Sequence, residues 1–191
     1  MIYKSCTDVE NSIFFIHNIL TFCCSSGTVG DFIVKDEYNG EIIDVEQFLK
    51  KREEFRNRFK LGKVDQRCLN CGKLEERDWN ENFSLGYVCI AHHTKCSCNC
   101  FYCSFAEKKR EWNRRKVYDI SKAFKNFLKS VPVEENFYVN ITGGECSEYP
   151  KNELNTIINE TIKNGGFLHF MSSGMFFSKE ISNVLKKGKE L

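Results

Sequence analysis

From Leu85 onward the chain alternates short apolar runs with amphipathic stretches three times over. Leu85–Ala91 reads as a strand and Tyr118–Ser130 as a helix, with Ile120, Ala123, Phe124, Phe127 and Leu128 apolar. Asn136–Ile141 is the second strand and Asn152–Lys163 the second helix, closed by Asn164-Gly165-Gly166 as its C-cap. Phe167–Met171 and Lys179–Lys187 make the third pair. Successive β-α units leave few solutions, because parallel strands need crossover connections and those put the helices outside the sheet. In such folds the ligand sits at the C-terminal ends of the strands. Three segments of chemical interest fall there: a cysteine loop from His92 to Cys103, Thr142-Gly143-Gly144-Glu145, and Ser172-Ser173-Gly174.

Before residue 82 the pattern differs. Ile13–Cys24 is apolar and β-rich, and Asp31–Val34 and Glu41–Ile43 bracket Tyr38-Asn39-Gly40, the signature of a hairpin turn. A helix follows, with Asp44 and Gln47 as its capping pair and Phe48, Arg52, Phe55 and Phe59 along one face until Gly62 stops it. The composition shift predicts an N-terminal Cys-containing α+β segment, residues 1–82, ahead of an α/β core, residues 83–191. Neither an internal repeat nor a proline-rich linker is visible, with only 2 Pro in the chain.

The cysteines carry the chemistry. Cys96, Cys100 and Cys103 lie at i, i+4 and i+7 on one loop, with Tyr102 just before the last. Three thiolates so placed can hold three irons of a [4Fe–4S] cube and leave the fourth open to a small molecule. Structural zinc instead takes four ligands, usually from two Cys-x-x-Cys knuckles, and a knuckle completed by Cys98 or by Cys68 and Cys71 is the alternative. The loop resembles the Cys-x3-Cys-x-aromatic-Cys signature of the radical S-adenosylmethionine (radical SAM) enzymes. One β-α unit later, Gly143-Gly144-Glu145 resembles the segment with which that family holds the cofactor's amino group, and Ser172 and Ser173 are similar to polar residues that end its third strand. Cys146 stands where many members have proline, and reads as a small buried residue. Cys98 reads as a thiol pointing away from the cluster.

The resemblance covers residues 83–191 and implies a partial TIM-like (β/α) barrel of about three units. It implies that Cys96, Cys100 and Cys103 bind a [4Fe–4S] cluster. S-adenosylmethionine would chelate its open iron, with Tyr102 at the adenine and Gly143, Gly144 and Glu145 at the methionine end. A flavodoxin- or ferredoxin-like reductant would supply one electron, and the resulting 5′-deoxyadenosyl radical would abstract hydrogen from a substrate that the sequence does not name, an oxidoreductase chemistry that belongs to the cofactors. Family barrels carry more units than the three read here, so the chain is expected to be a fragment or to be completed by a second chain. A non-catalytic zinc- or iron-sulfur-binding module is the competing expectation.

A second constellation comprises Cys23, Cys24, Cys68 and Cys71, with Cys6 and Cys89 as additions. Its order partly resembles the SPASM-type auxiliary-cluster domain of some radical SAM enzymes, which implies a second iron-sulfur cluster; zinc or an empty site is the alternative. Cys89 alternates within the first strand and reads as core. His92 and His93 adjoin the cluster loop; strand geometry would point them in opposite directions, so at most one faces the site and neither reads as a ligand. The basic run Lys108-Lys109-Arg110 and Arg114-Arg115-Lys116 around Trp112 reads as a solvated face.

Charge and cysteine count bound the rest. With 28 Lys+Arg against 26 Asp+Glu, the whole-molecule field gives no reason to expect a nucleic-acid or membrane-surface partner. Eleven Cys is an odd, clustered set, and Ile13–Leu20 lacks a basic flank and contains His17 and Asn18, so no export signal is read. The expected compartment is reducing cytoplasm, where clustered cysteines serve metals or catalysis.

Overall fold

A computed structural model describes residues 1–23, 32–98, 100, 101, 103, 118–174, 182 and 183. The elements in order are β1 (Ile2–Ser5), α1 (Thr7–Asn11), β2 (Ser12–Ile16), β3 (Ile19–Thr21), β4 (Ile33–Lys35), α2 (Val45–Lys60), α3 (Gln66–Leu69) and β5 (Glu75–Asp78). They continue with β6 (Leu85–Ala91), α4 (Ser121–Ser130), β7 (Val133–Ile141), α5 (Lys151–Lys163) and β8 (Phe167–Phe170). Of the expected helix Lys179–Lys187, only residues 182 and 183 are described.

The result is a mixed α/β fold around a mostly parallel six-stranded sheet of order β4-β3-β2-β6-β7-β8, with a separate β1-β5 pair. Strands β2, β6, β7 and β8 run parallel, while β3 and β4 are antiparallel additions at one edge. Parallel β6-β7-β8 follows from the three β-α units, whose helices α4 and α5 are the crossovers. The position of β2 differs from the expected division. Ser12–Ile16 pairs with Tyr87–Ala91, so one sheet runs across the boundary between residues 82 and 83. Four of the five β2 residues are buried, and an apolar run of that kind needs a neighbour on each side, here β3 and β6.

Register sorts the side chains into rows. Ile13, Val88 and Val139, and then Phe15, Ile90 and Ile141, face the helices and meet Phe124, Phe127, Leu154, Ile157 and Ile158. The alternate rows, Ser12-Tyr87-Tyr138-Phe167 and Phe14-Cys89-Asn140-His169, face the other way. That second face is closed where β2 meets β6, with Ser12, Phe14 and Cys89 buried, and open toward β8, where Tyr138 and Phe167 stack at 5.5 Å with about half their surface exposed.

Helix α2 joins two cores. Asp44 caps it by accepting from Gln47 N–H at 3.0 Å, and Gly62, at φ +73°, follows its end. Phe48 enters the main core, whereas Phe55 and Phe59 pack with Tyr3, Phe22, Phe32 and Trp79 in a second one. The expected hairpin at Tyr38-Asn39-Gly40 does not form: β4 pairs with β3, and residues 41–43 are not a strand. Tyr38 is instead buried, its N–H donating to Asn18 O at 2.6 Å. Gly40, at φ +89°, accommodates the backbone of Asp119, whose carbonyl oxygen occupies the space a Cβ would need. Among the described residues no helix is long and apolar enough to cross a membrane.

Candidate functional site

The three segments at the C-terminal ends of β6, β7 and β8 lie against one another. Backbone bonds continue past the strands: Thr142 N–H donates to Ile90 O (2.8 Å), Gly144 N–H to His93 O (2.9 Å), Glu145 N–H to Lys95 O (3.0 Å) and Met171 N–H to Ile141 O (3.0 Å). The paired glycines are what permit this. A Cβ on Gly143 (φ +105°) would lie 2.6 Å from His93 O, and one on Gly144 would overlap Lys95 O. The space left by the missing side chains is therefore filled by the backbone of the cysteine loop itself.

Cys96, Cys100 and Cys103 are all half-buried on that loop, and Cys103 N–H donates to Cys100 O at 3.3 Å. Tyr102 lies outside the described residues, as do Lys108 to Arg110, Trp112 and Arg114 to Lys116. Ser97 N–H donates to Glu148 at 2.5 Å, a contact between the loop and the 3-10 turn that follows Glu145. The Cys98 thiol reaches Ser173 Oγ at 3.2 Å, so it is directed toward the loop after β8.

Glu145 is the polar centre of the cluster. Its side chain is buried, and Oε1 accepts from Ser172 Oγ (2.7 Å) and Ser147 Oγ (3.1 Å), while Oε2 accepts from Ser173 N–H (2.9 Å) and Oγ (2.8 Å). Burial would raise its carboxyl, but the bonds from Ser172, Ser173 and Ser147 outweigh that and bring it to about 2. The site thus keeps a fixed negative charge out of bulk water. Cys146 is fully buried, and burial pushes its thiol up to about 11.

Beneath the loop lies a second buried carboxylate that the sequence did not reveal. Glu153, on α5, takes His92 Nε2 on one oxygen and His93 Nε2 on the other, both at 2.7 Å, and Ile120 N–H at 2.9 Å. Both imidazoles converge because His92 and His93 lie beyond the end of β6 at Ala91, where strand alternation no longer applies. Burial opposes ionisation of Glu153, yet its hydrogen bonds from the two histidines prevail and hold it at about 2. Burial also pushes His92 below its ordinary value, and its Nδ1 has no hydrogen-bond partner in the structure. These three side chains are the one group of His, Cys, Asp or Glu among the described residues whose ligand atoms all lie within 4.8 Å of one another. Glu153 gives one carboxylate oxygen to each imidazole, so we assign the three to holding the base of the loop. The available signal was an acidic residue beside the apolar stripe Leu154, Ile157, Ile158 of α5.

In the N-terminal part, Cys6, Cys23 and Cys68 are buried in one core and Cys71 is half-buried beside them; Cys24 lies outside the described residues. Cys89 is elsewhere, packed with Phe14 and Ala91 on the second face of the sheet. The ten described cysteines form no disulfide among themselves.

Comparison with protein-family models, curated proteins and solved structures finds no match for this chain.

Proposed function

We propose that this chain is a radical SAM protein, or a part of one, whose Cys96, Cys100 and Cys103 hold a [4Fe–4S] cluster. The observation that carries the reading is the convergence of the cysteine loop, Gly143-Gly144-Glu145 and Ser172-Ser173 at one end of the parallel strands. The donor set fits the group. Three thiols on one loop match three corners of a cube. A bound cluster would deliver one electron to the sulfonium of S-adenosylmethionine, releasing methionine and a 5′-deoxyadenosyl radical.

The chain's own residues bind and orient. Glu145, kept ionised by Ser172, Ser173 and Ser147, is matched to a ligand ammonium group. His92, His93 and Glu153 fix the root of the loop, and Gly144 and Glu145 fix its flank. The second face of the sheet supports a barrel wall: helices cover the opposite face, while toward β8 this one carries exposed Tyr138, Phe167 and His169. Asn140 Oδ1 is buried there without a partner, a group a substrate could satisfy. In this reading the protein works in reducing cytoplasm with a flavodoxin- or ferredoxin-like donor.

Anaerobic reconstitution with ferrous iron and sulfide tests the proposal. The expected protein is brown and forms 5′-deoxyadenosine from S-adenosylmethionine under dithionite, and Cys100→Ala abolishes that product. Colourless zinc-loaded protein that leaves S-adenosylmethionine intact would overturn the reading in favour of a non-catalytic metal-binding module, and undiminished turnover in Cys100→Ala would remove Cys100 from the site.

A further inference from the structure

We propose that the outer side of the cysteine loop, centred on Phe101 and flanked in sequence by Lys95, is the surface on which an acidic one-electron carrier protein docks. This rests on the radical SAM reading above, which requires one electron to reach the group held by Cys96, Cys100 and Cys103. Other sides of the loop are occupied. Glu153 holds its root at His93, Gly144 and Glu145 bond to its backbone along one flank, and Cys98 meets Ser173 toward β8. Phe101 faces water: it is 96% exposed, while no other large apolar side chain among the described residues exceeds 72%. Scattered exposed apolar residues are ordinary, and it is the position of this one that matters. It lies one residue from Cys100 and two from Cys103, so a carrier that touches the ring stands beside two of the three thiols. Aromatic side chains are also what interface cores are enriched in.

Charge sorts in the same direction. Lys95 on the loop and Lys151 at the start of α5 are exposed, whereas Glu145 and Glu153 are buried and Glu148 is drawn onto Ser97 N–H. The acids next to the loop are therefore turned inward, and the lysines are left to the solvent. The segment that joins Cys103 to Tyr118 lies outside the described residues, and by sequence it adds six basic residues against two acidic ones. The whole chain is nearly balanced, at 28 Lys+Arg against 26 Asp+Glu, so positive charge is concentrated in this part of the sequence. A local field of that sign favours an acidic partner and speeds its encounter without a large contact area. Redox encounters use small interfaces, below about 1,200 Å² in total, and a single exposed ring with lysines about it suits one of that kind.

Stopped-flow reduction of the reconstituted chain tests this, with bleaching of the iron-sulfur absorbance as the readout. The donors are dithionite, a small molecule that needs no docking surface, and reduced flavodoxin, an acidic one-electron carrier. Phe101→Ala should keep the wild-type iron content and bleach with dithionite as the wild type does, while its second-order rate with flavodoxin falls roughly tenfold, as when an interface anchor is truncated. The wild-type rate with flavodoxin should fall as salt rises, and Lys95→Glu should lower the low-salt rate and flatten that dependence. Wild-type flavodoxin rates in both variants, or a wild-type rate indifferent to salt, would overturn the proposal. Equal slowing of Phe101→Ala with both donors would also overturn it, because the ring would then act on the metal group and not on the encounter. Should Phe101→Ala take up no iron, Lys95→Glu and the salt dependence decide. A wild-type chain that takes up no iron would instead overturn the radical SAM reading, and this proposal with it.

Discussion

Gly144→Ala is the sharpest test of how the site is assembled. A Cβ at this position would overlap Lys95 O and lie 2.9 Å from the carbonyl carbons of both Lys95 and Thr94. Ordinary carbon contacts need about 3.5–4.0 Å, so the loop would have to retreat by roughly 0.6–1 Å. That displacement stretches the 2.9 Å Gly144–His93 and 3.0 Å Glu145–Lys95 bonds beyond the roughly 3.2 Å limit for N–H···O bonds. Two backbone bonds at about 1 kcal/mol each and overpacking at about 1–3 kcal/mol give an expected loss of about 3–5 kcal/mol. Gly62→Ala is the control. Gly62 is at φ +73° with nothing within 4 Å of a Cβ, so only the left-handed backbone penalty of about 1–2 kcal/mol applies. Urea unfolding of the metal-free protein, followed by circular dichroism, measures both. A Gly144→Ala loss no larger than that of Gly62→Ala would show that the loop is not clamped against the glycine pair.

Glu145 and Glu153 are ordinary carboxyls near 4.5 when unfolded and near 2 when folded. Depressed folded values contribute stability above about 4.5 that is lost as pH falls from there toward 2; at 1.36 kcal/mol per pH unit this is on the order of 3 kcal/mol per residue. Glu145→Gln should flatten the acid limb of a stability–pH curve, and an unchanged limb would refute the assignment. Glu153→Ala strands three buried donors, those of His92, His93 and Ile120, at about 1–3 kcal/mol each, so a loss above about 3 kcal/mol is expected by urea unfolding. Glu153→Gln, which keeps an acceptor, should cost clearly less, and equal losses would argue that the hydrogen bonds do not set the effect.

The legible parts of this chain were those governed by local rules. Leu85–Ala91 is the strand that its apolar run indicates, and α2 begins at the Asp44 cap. The sheet partners of β2 were not legible, because Ile13–Ile16 is an unbroken apolar run and such a run does not say which neighbour it takes. The Tyr38-Asn39-Gly40 run indicates a hairpin turn, whereas the positive φ of Gly40 serves contact with Asp119, far away in sequence. The convergence of His92 and His93 on Glu153 was hidden for the same reason: it depends on where α5 lands and not on the spacing of the two histidines. In the cysteine loop the spacing was visible, but the lacing by Gly144, Glu145, Glu148 and Ser173 required the tertiary structure.

The Cys96 loop is held from below by Glu153 and from the side by two backbone bonds, so protein contacts set its shape, and a preorganised loop returns little folding energy when it takes up a metal. Hydrogen exchange on reconstituted and chelator-stripped protein tests this. Stripping should leave β6, β7 and α5 protected, because their hydrogen bonds and buried contacts involve no cysteine of the loop. Loss of protection across these elements on stripping would show that the metal, and not Glu153 and the glycine pair, holds the loop in place.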